Sequence, residues 1–277
     1  MSGETPAGER SGVPDESKAD QYSLAQVVGI WALAAIPMGI LGWILFPRLA
    51  PDFAADPLGA GVIRLVLLTV GLVWLFVLSL IIVWREEGDL RWQSVKRRLR
   101  LNTPRDPASG APRARLWLWV IPFLLAVIVV QVGLSGPIRT VWVSVLPFFA
   151  EPPGYSPGAI FQSRDALARL EGAWWFFAMF VVNAVFNTIL GEEFLFRGVL
   201  LPRMSGVFGR WSWVANGVLF GFYHLHQPWG MLSSIVTGLL YAFPVYRFKS
   251  TWLSIVLHSA QSVYLAVLVL GVVLGLA

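Results

Sequence analysis

The chain has 277 residues, of which 56% are hydrophobic and only 13% are charged, and its formal net charge is +5. Soluble globular domains carry about 25% charged residues, so this composition excludes an ordinary soluble protein. The chain contains no cysteine, which excludes disulfides, thiolate zinc sites and a cysteine nucleophile. The basic excess is concentrated in one segment and does not indicate a nucleic-acid partner.

Residues 1–22 are polar, contain Pro, Gly and Ser, and carry more acidic than basic side chains. Because no basic stretch precedes an apolar core, this segment is predicted to be a disordered tail and not a signal peptide. Residues 23–84 are predicted to form two transmembrane helices, at about 24–46 and 62–83. Each is close to the twenty or so apolar residues that cross a bilayer.

Residues 85–115 form the most basic segment, with nine Lys or Arg and four Asp or Glu residues. Its centre is the run Lys96-Arg97-Arg98-Leu99-Arg100. The positive-inside rule predicts that this loop stays in the cytoplasm, where it orients the chain and contacts lipid headgroups. The N-terminus is then also cytoplasmic, and we expect an integral protein of a bacterial plasma membrane.

Residues 116–171 are predicted to contain one transmembrane helix followed by an extracytoplasmic loop. The helix covers about 116–134. The stretch 141–149 is apolar but too short to cross, which predicts an interfacial or re-entrant segment. Residues 151–171 are polar, with Pro and Gly, and are predicted to form the outer loop.

Four further apolar segments follow in residues 172–277, and basic residues mark the predicted cytoplasmic turns between them. The segments cover about 174–201, 211–225, 231–246 and 252–274, and the turn residues are Arg203, Arg210, Arg247 and Lys249. The fold class is therefore all-α, a polytopic membrane protein with about seven or eight transmembrane helices.

Glu192 and Glu193 are the only carboxylate side chains after Gly172, and apolar residues surround them. A charge in a lipid-embedded helix costs about 2.5–3.5 kcal/mol on insertion scales, so two adjacent acids there indicate a functional site. All three histidines of the chain, His224, His226 and His258, lie in the same region.

The distances of these residues from the basic turns predict that they meet. At about 1.5 Å per helical residue, Glu192 lies roughly 16 Å before Arg203, and His224 roughly 21 Å after Arg210. His258 lies roughly 13 Å after Lys249. Three helices therefore place ionisable groups at similar depths, and we expect the site to open toward the cytoplasm.

Glu193 and Arg197 are four residues apart and share a helix face. They are predicted to form a charge pair that lowers the cost of insertion; the alternative is that Arg197 binds a substrate carboxylate. Glu192 is rotated by about 100° from Glu193 and has no local cation, which favours a desolvated carboxyl acting as a general base.

Both His224 and His258 are candidate site residues because each lies at the depth of Glu192. Phe220 precedes His224 by four residues on the same face. His258 has Ser254 and Ser262 one turn away, and Gln261 is nearby. A structural or interfacial role is predicted for His226, which lies on another face beside Gln227-Pro228.

The motifs Glu192-Glu193-xxx-Arg197, Phe220-xxx-His224 and His258, in this order on successive helices, resemble the CPBP family. That family includes CAAX prenyl endopeptidases and bacteriocin-processing or self-immunity proteins. The resemblance covers about 174–268, and it implies a catalytic helical core within residues 172–277 and an intramembrane protease. The implied catalytic residues are Glu192, Glu193, His224 and His258, and the implied supporting residues are Arg197, Phe220, Ser262 and Gln261.

In this family pattern Glu192 and His224 activate water, and His258 stabilises the tetrahedral oxyanion. The family often has an Asn four residues after the last histidine, where this chain has Ser262. Losing one oxyanion donor costs about 2.7–4 kcal/mol in other enzymes, so this departure bears on activity.

The sequence does not decide whether the reaction uses a metal ion. The family is commonly labelled as a metalloprotease, and Glu192, His224 and His258 provide the ligand types of a zinc site with an open position. The same residues equally support a metal-free mechanism with Glu192 as the base. Ligands from three helices form no compact motif that separates the two.

The predicted function is hydrolysis of membrane-associated or C-terminal peptide segments, with membrane lipid and a peptide or protein substrate as partners. A non-catalytic scaffold or self-immunity protein is the alternative that the Ser262 departure favours. A proton-coupled transporter is a third reading, because membrane acids and histidines also form proton relays. No internal repeat supports it.

Overall fold

The computed structural model describes residues 21–155 and 157–276. Within these ranges the chain is helical without named strands, and six helices are long and apolar enough to cross a membrane. The predicted fold class, an all-α polytopic membrane protein, is confirmed. The predicted tail at residues 1–22 lies almost entirely outside the described residues. The six long helices are α1 (Leu24–Leu49), α2 (Pro57–Glu87), α4 (Ala114–Val145), α6 (Trp174–Arg203), α8 (Pro228–Phe248) and α9 (Trp252–Val273).

Three labelled shorter helices complete the fold: α3 (Trp92–Arg98), α5 (Arg164–Leu170) and α7 (Ser212–Tyr223). The predicted segment 211–225 corresponds to α7, whose 12 residues are about half a membrane span. A turn of 3₁₀-helix, His224–His226, extends it. The six long helices and α7 account for the seven predicted apolar segments.

The third long helix differs from the prediction in its length. Instead of ending at about residue 134, α4 continues to Val145, so the stretch 141–149 is largely the end of this helix and not a separate interfacial segment. A π-helical turn, Val129–Leu134, precedes Pro137. The Ser135 hydroxyl donates to the carbonyl of Gln131, within this turn, at 2.7 Å.

One end of the molecule is tied together by polar contacts between basic segments. The Tyr22 backbone N–H donates to the Arg203 carbonyl at 2.9 Å, and the Thr251 N–H donates to the Arg100 carbonyl at 3.0 Å. The Arg98 guanidinium contacts the Glu86 carboxylate at 2.5 Å. We call this the basic end; it comprises residues 85–115, 203–210 and 247–249.

Other contacts hold the opposite end. The Arg169 guanidinium pairs with the Asp56 carboxylate at 2.8 Å, and the Trp142 indole N–H donates to the Pro228 carbonyl at 2.9 Å. The aromatic rings of Trp43 and Tyr155 stack at 5.1 Å. We call this the near-neutral end; it comprises residues 48–57, 139–155, 157–173 and 227–230.

Glycines allow the helices around the site to approach closely. A Cβ added at Gly191 of α6 would lie 2.8 Å from the Leu72 carbonyl oxygen of α2. A Cβ added at Gly238 of α8 would lie 2.9 Å from the Gly217 carbonyl oxygen of α7. Small residues permit such backbone contact between membrane helices, where side-chain packing and not solvent exclusion holds the bundle together.

Candidate active site

The two adjacent acids lie on α6 between two π-helical segments, Phe186–Gly191 and Phe194–Leu200. Wide turns of this kind are rare and occur frequently at functional sites. Glu192 is 3% exposed and Glu193 is fully buried. The local backbone therefore presents two carboxylates inside the helix bundle and away from lipid.

Glu193 is held by two partners at one oxygen. The Arg197 guanidinium donates to its Oε1 at 3.1 Å, and His258 Nδ1 lies 2.9 Å from the same atom. Arg197 also donates to the Gly238 carbonyl at 3.2 Å, and its guanidinium lies 4.1 Å from the centroid of the Phe220 ring. The predicted pair of Glu193 and Arg197 is present, and Arg197 is too deeply buried to meet a substrate carboxylate.

The two histidines have the same local arrangement. Nδ1 of His224 lies 2.8 Å from the Phe220 carbonyl oxygen, and Nδ1 of His258 lies 2.9 Å from the Glu193 carboxylate. Each acceptor favours a proton on Nδ1, so Nε2 is the ring nitrogen that faces Glu192. Both Nε2 atoms lie 3.9 Å from the Glu192 carboxylate, that of His224 from Oε1 and that of His258 from Oε2. The structure thus brings Glu192, His224 and His258 together.

These three side chains line a cavity of about 530 Å³. It extends from Glu192 past Asn187 and Gln131 to Arg139 and Trp229. The expected opening toward the basic end is wrong, because no residue of that end lines the cavity. The acids lie closer to the basic end in sequence, but residues 194–201, which lead from them to that end, are all buried.

Residues 173–264 match the family model for type II CAAX prenyl endopeptidases of the Rce1-like group. The match supports membership of this segment in the CPBP family. The match covers about a third of the chain and contains all four candidate catalytic residues. It implies a peptidase of the membrane. No match to a curated protein or to a solved structure was found.

The third histidine of this CPBP segment does not join the cluster around Glu192. The His226 ring stacks on His224 at 5.5 Å, and its carbonyl oxygen accepts a hydrogen bond from Arg64 at 3.3 Å. Among the described residues no ion pair joins His226 to either acid. His226 nevertheless lines the same cavity, so its structural or interfacial role stays a prediction.

The chain departs from the family pattern at Ser262, four residues after the last histidine. Ser262 is buried and does not line the cavity, so its hydroxyl is not placed to reach a reacting group. Gln261 does line the cavity, and its amide pairs with that of Gln131 at 3.0 Å. Phe220 lines the cavity as well and packs edge-on against the His224 ring at 4.9 Å.

Several residues of the site were not predicted from the sequence. Tyr241 of α8 stacks on the His258 ring at 4.7 Å, and Tyr223 of α7 interacts electrostatically with Glu192. Asn183 and Asn187 also line the cavity. The two asparagines carried a readable signal, because polar residues four apart on an apolar helix share one face. The tyrosines carried none, since aromatic residues are common in these helices.

The donor types around Glu192 match a zinc site, but their spacing does not. Ligand atoms about 2.0–2.1 Å from a tetrahedral zinc lie about 3.3 Å from one another, whereas both Nε2-to-carboxylate distances are 3.9 Å. Across the described part of the chain, no group of three His, Asp or Glu side chains has the spacing to hold a metal ion. As placed, the residues do not fit the metal.

Proposed function

We propose that this protein is an intramembrane endopeptidase in which Glu192 activates water against a peptide bond. The observation that carries the proposal is the placement of Glu192 between the Nε2 atoms of His224 and His258, each 3.9 Å away, at the floor of a cavity. A separation beyond about 3.5 Å is too long for a direct hydrogen bond and suits a bridging water.

In the first step, the Glu192 carboxylate accepts a proton from water while its oxygen attacks the peptide carbonyl carbon. Nε2 of His224 accepts the water's other hydrogen bond, because its Nδ1 is turned to the Phe220 carbonyl. The C=O π pair moves to oxygen and forms the tetrahedral oxyanion. Glu192 then gives its proton to the leaving nitrogen as the C–N bond breaks.

His258 is assigned to the oxyanion. In its protonated form it donates from both nitrogens, with Nδ1–H bonded to Glu193 and Nε2–H directed into the cavity beside Glu192. The buried Glu193 carboxylate stabilises that imidazolium, as an acid does behind the histidine of a catalytic triad. Glu193 thereby acts through His258 and is a positioning residue.

The substrate that this site favours is a membrane-associated peptide segment, because the cavity lies within the span of the long helices. Enzymes of the matched family are described as CAAX prenyl endopeptidases. No contact in the cavity distinguishes a prenylated segment from an unmodified apolar one, so the proposal is limited to the peptide.

The test is cleavage of a peptide library by the purified protein, read by mass spectrometry, with the Glu192→Gln variant beside it. We expect loss of cleavage with no loss of thermal stability, because the amide has nearly the same shape as the carboxylate and removes a charge from a buried position. The Glu86→Gln variant is the matched control, since it makes the same chemical change at the basic end. Equal cleavage by the Glu192→Gln variant would refute the mechanism.

The metal question has its own measurement. We propose that cleavage persists after exhaustive chelation and dialysis and that the active protein carries no stoichiometric metal by elemental analysis. Activity lost on chelation and restored by zinc would instead show that the side chains close around an ion.

One observation favours a second candidate, a non-catalytic membrane scaffold: Ser262 replaces the usual Asn and lies off the cavity. The two proposals predict different cellular results. If variants Glu192→Ala and His224→Ala both keep the full cellular function, the scaffold is correct; if both lose it while still present in the membrane, the peptidase is.

A further inference from the structure

The two ends of the bundle differ sharply in charge. The basic end holds thirteen Lys or Arg residues and four Asp or Glu residues. The near-neutral end holds four basic and five acidic residues. Short loops rich in Lys and Arg stay in the cytoplasm, so this asymmetry places the basic end inside and the near-neutral end outside.

The cavity that contains Glu192 extends toward the near-neutral end. Its far lining includes Arg139, Gln227 and Trp229, all from that end. The Arg139 side chain is 44% exposed and pairs with Glu151 of the same end. The solvent-facing rim of the cavity therefore lies on the side that the charge pattern assigns to the exterior.

A second cavity, of about 560 Å³ and apolar, adjoins the first in the same half of the bundle. The two share Leu65, Leu68, Phe180 and Leu265 as lining residues. The second continues to Phe161 and Leu268. A peptide at Glu192 therefore has apolar space beside it at the level of the outer leaflet, which suits the apolar membrane anchor of the same polypeptide.

We propose that Glu192 is reached from the extracytoplasmic side, and that the substrate is a polypeptide whose cleaved segment emerges on that side of a membrane anchor. The substrate class rests on the proposed peptidase function; the side of access does not. This is the reverse of the access expected for a cytoplasmic C-terminal peptide. A segment that stays in the cytoplasm would have to pass the closely packed basic end, where no lining residue of either cavity is found.

The absence of cysteine from the sequence allows a direct test, because each introduced thiol is the only one in the chain. Three isosteric variants of the full protein are suitable: Ser234→Cys in the cavity, Ser144→Cys at the near-neutral end and Ser109→Cys at the basic end. Ser144 and Ser109 are exposed. Intact cells are treated with a membrane-impermeant thiol reagent, and permeabilised cells give the full extent of labelling.

We expect the Ser144→Cys and Ser234→Cys thiols to react in intact cells, and the Ser109→Cys thiol to react only after permeabilisation. Protection of the Ser234→Cys thiol in intact cells overturns the proposal, whichever way the other two behave. A Ser109→Cys thiol that reacts from outside overturns the assigned orientation. None of these readouts depends on catalysis.

Activity provides a second arm. Cleavage by the Ser234→Cys variant in right-side-out vesicles is measured before and after the impermeant reagent, and we expect most of it to be lost. The Ser144→Cys variant is the matched control and should keep its activity after labelling. If labelling occurs as expected but the Glu192→Gln variant cleaves normally, the access route stands and the peptidase mechanism fails.

Discussion

Helix α6 carries two charged clusters, and their difference separates structural charges from functional ones. The first cluster is at the basic end, where Arg203 meets Glu86. Both oxygens of Glu86 are engaged there: the Tyr22 hydroxyl donates to Oε1 and Arg98 donates to Oε2, each at 2.5 Å. Burial raises the pKa of Tyr22, so its hydroxyl stays protonated and keeps donating.

The second cluster lies three turns away on the same helix. Glu193 resembles Glu86 because an arginine pairs with it, whereas the ion-pair partners of Glu192 among the described residues are the two histidine Nε2 atoms, each 3.9 Å away. Oε2 of both acids is buried without a hydrogen-bond partner among the described residues. A buried acceptor left unsatisfied costs about 1–3 kcal/mol, and more when it is charged. Of the two acids of α6, Glu192 is therefore the one without an arginine or lysine partner, and it is the one that the proposed reaction uses.

The largest expected effect is the loss of peptide cleavage when His224 or His258 is replaced. We expect His224→Ala and His258→Ala each to lower kcat/KM on the order of 10²–10⁴-fold, because each removes a group that contacts the reacting atoms. The comparison is with Asn183→Ala, which alters the cavity wall away from Glu192. Peptide cleavage rates measure the effect, and a histidine variant as active as the Asn183→Ala variant would contradict the assigned role.

The next effect is on stability at Arg197. Replacing Arg197 with Met leaves Glu193 buried without its main cation and should lower the free energy of unfolding by about 3–5 kcal/mol. Thermal unfolding in detergent measures the loss. The double variant Glu193→Gln with Arg197→Met removes both charges and should regain most of that stability. If it does not, the pair is held by packing and not by charge.

A smaller effect is expected at the basic end. The Tyr22→Phe variant removes one donor to Glu86 and should cost about 1–2 kcal/mol of stability. Cleavage should stay unchanged, because every member of this cluster lies outside the cavity lining. A fall in cleavage without a fall in thermal stability would show that the two clusters are coupled through α6.

The smallest effect concerns Ser262. Because its side chain is buried away from the cavity, restoring the family's usual residue with Ser262→Asn should give no gain in cleavage. The larger side chain should instead cost about 1–3 kcal/mol through overpacking. A marked rise in kcat would show that this position faces the oxyanion after all.

Features set by spacing along one helix could be predicted from the sequence, and the structure bears out two of them. The separation of four residues predicted the contact between Glu193 and Arg197. The similar depths of Glu192, His224 and His258 predicted that they meet. The helical repeat gives the face and the depth of each side chain, and the contact between helices follows because these three helices are neighbours.

Features set by packing between helices could not be predicted. The stacking of Tyr241 on His258 depends on how closely α7, α8 and α9 approach, and contacts such as that of Gly217 with Gly238 decide it. The side on which the cavity opens depends on which ends of the helices separate. Hydropathy indicates the length of a membrane span but not the distance between two spans. In α4 it also gave the wrong length, because the helix continues through a π turn to Val145.

Two π turns flank Glu192 and Glu193, so the effect of a deletion on the direction of these side chains depends on whether it falls inside a π turn. A π turn holds about one residue more than an α turn, so α6 contains more chain than its path requires. Deleting a single residue from Phe186–Gly191 would remove the extra residue, so the wide turn could close to an α turn while Glu192 keeps its direction. The same deletion in the regular α-helical part, Trp174–Val185, would turn Glu192 by about 100° relative to the residues before the deletion.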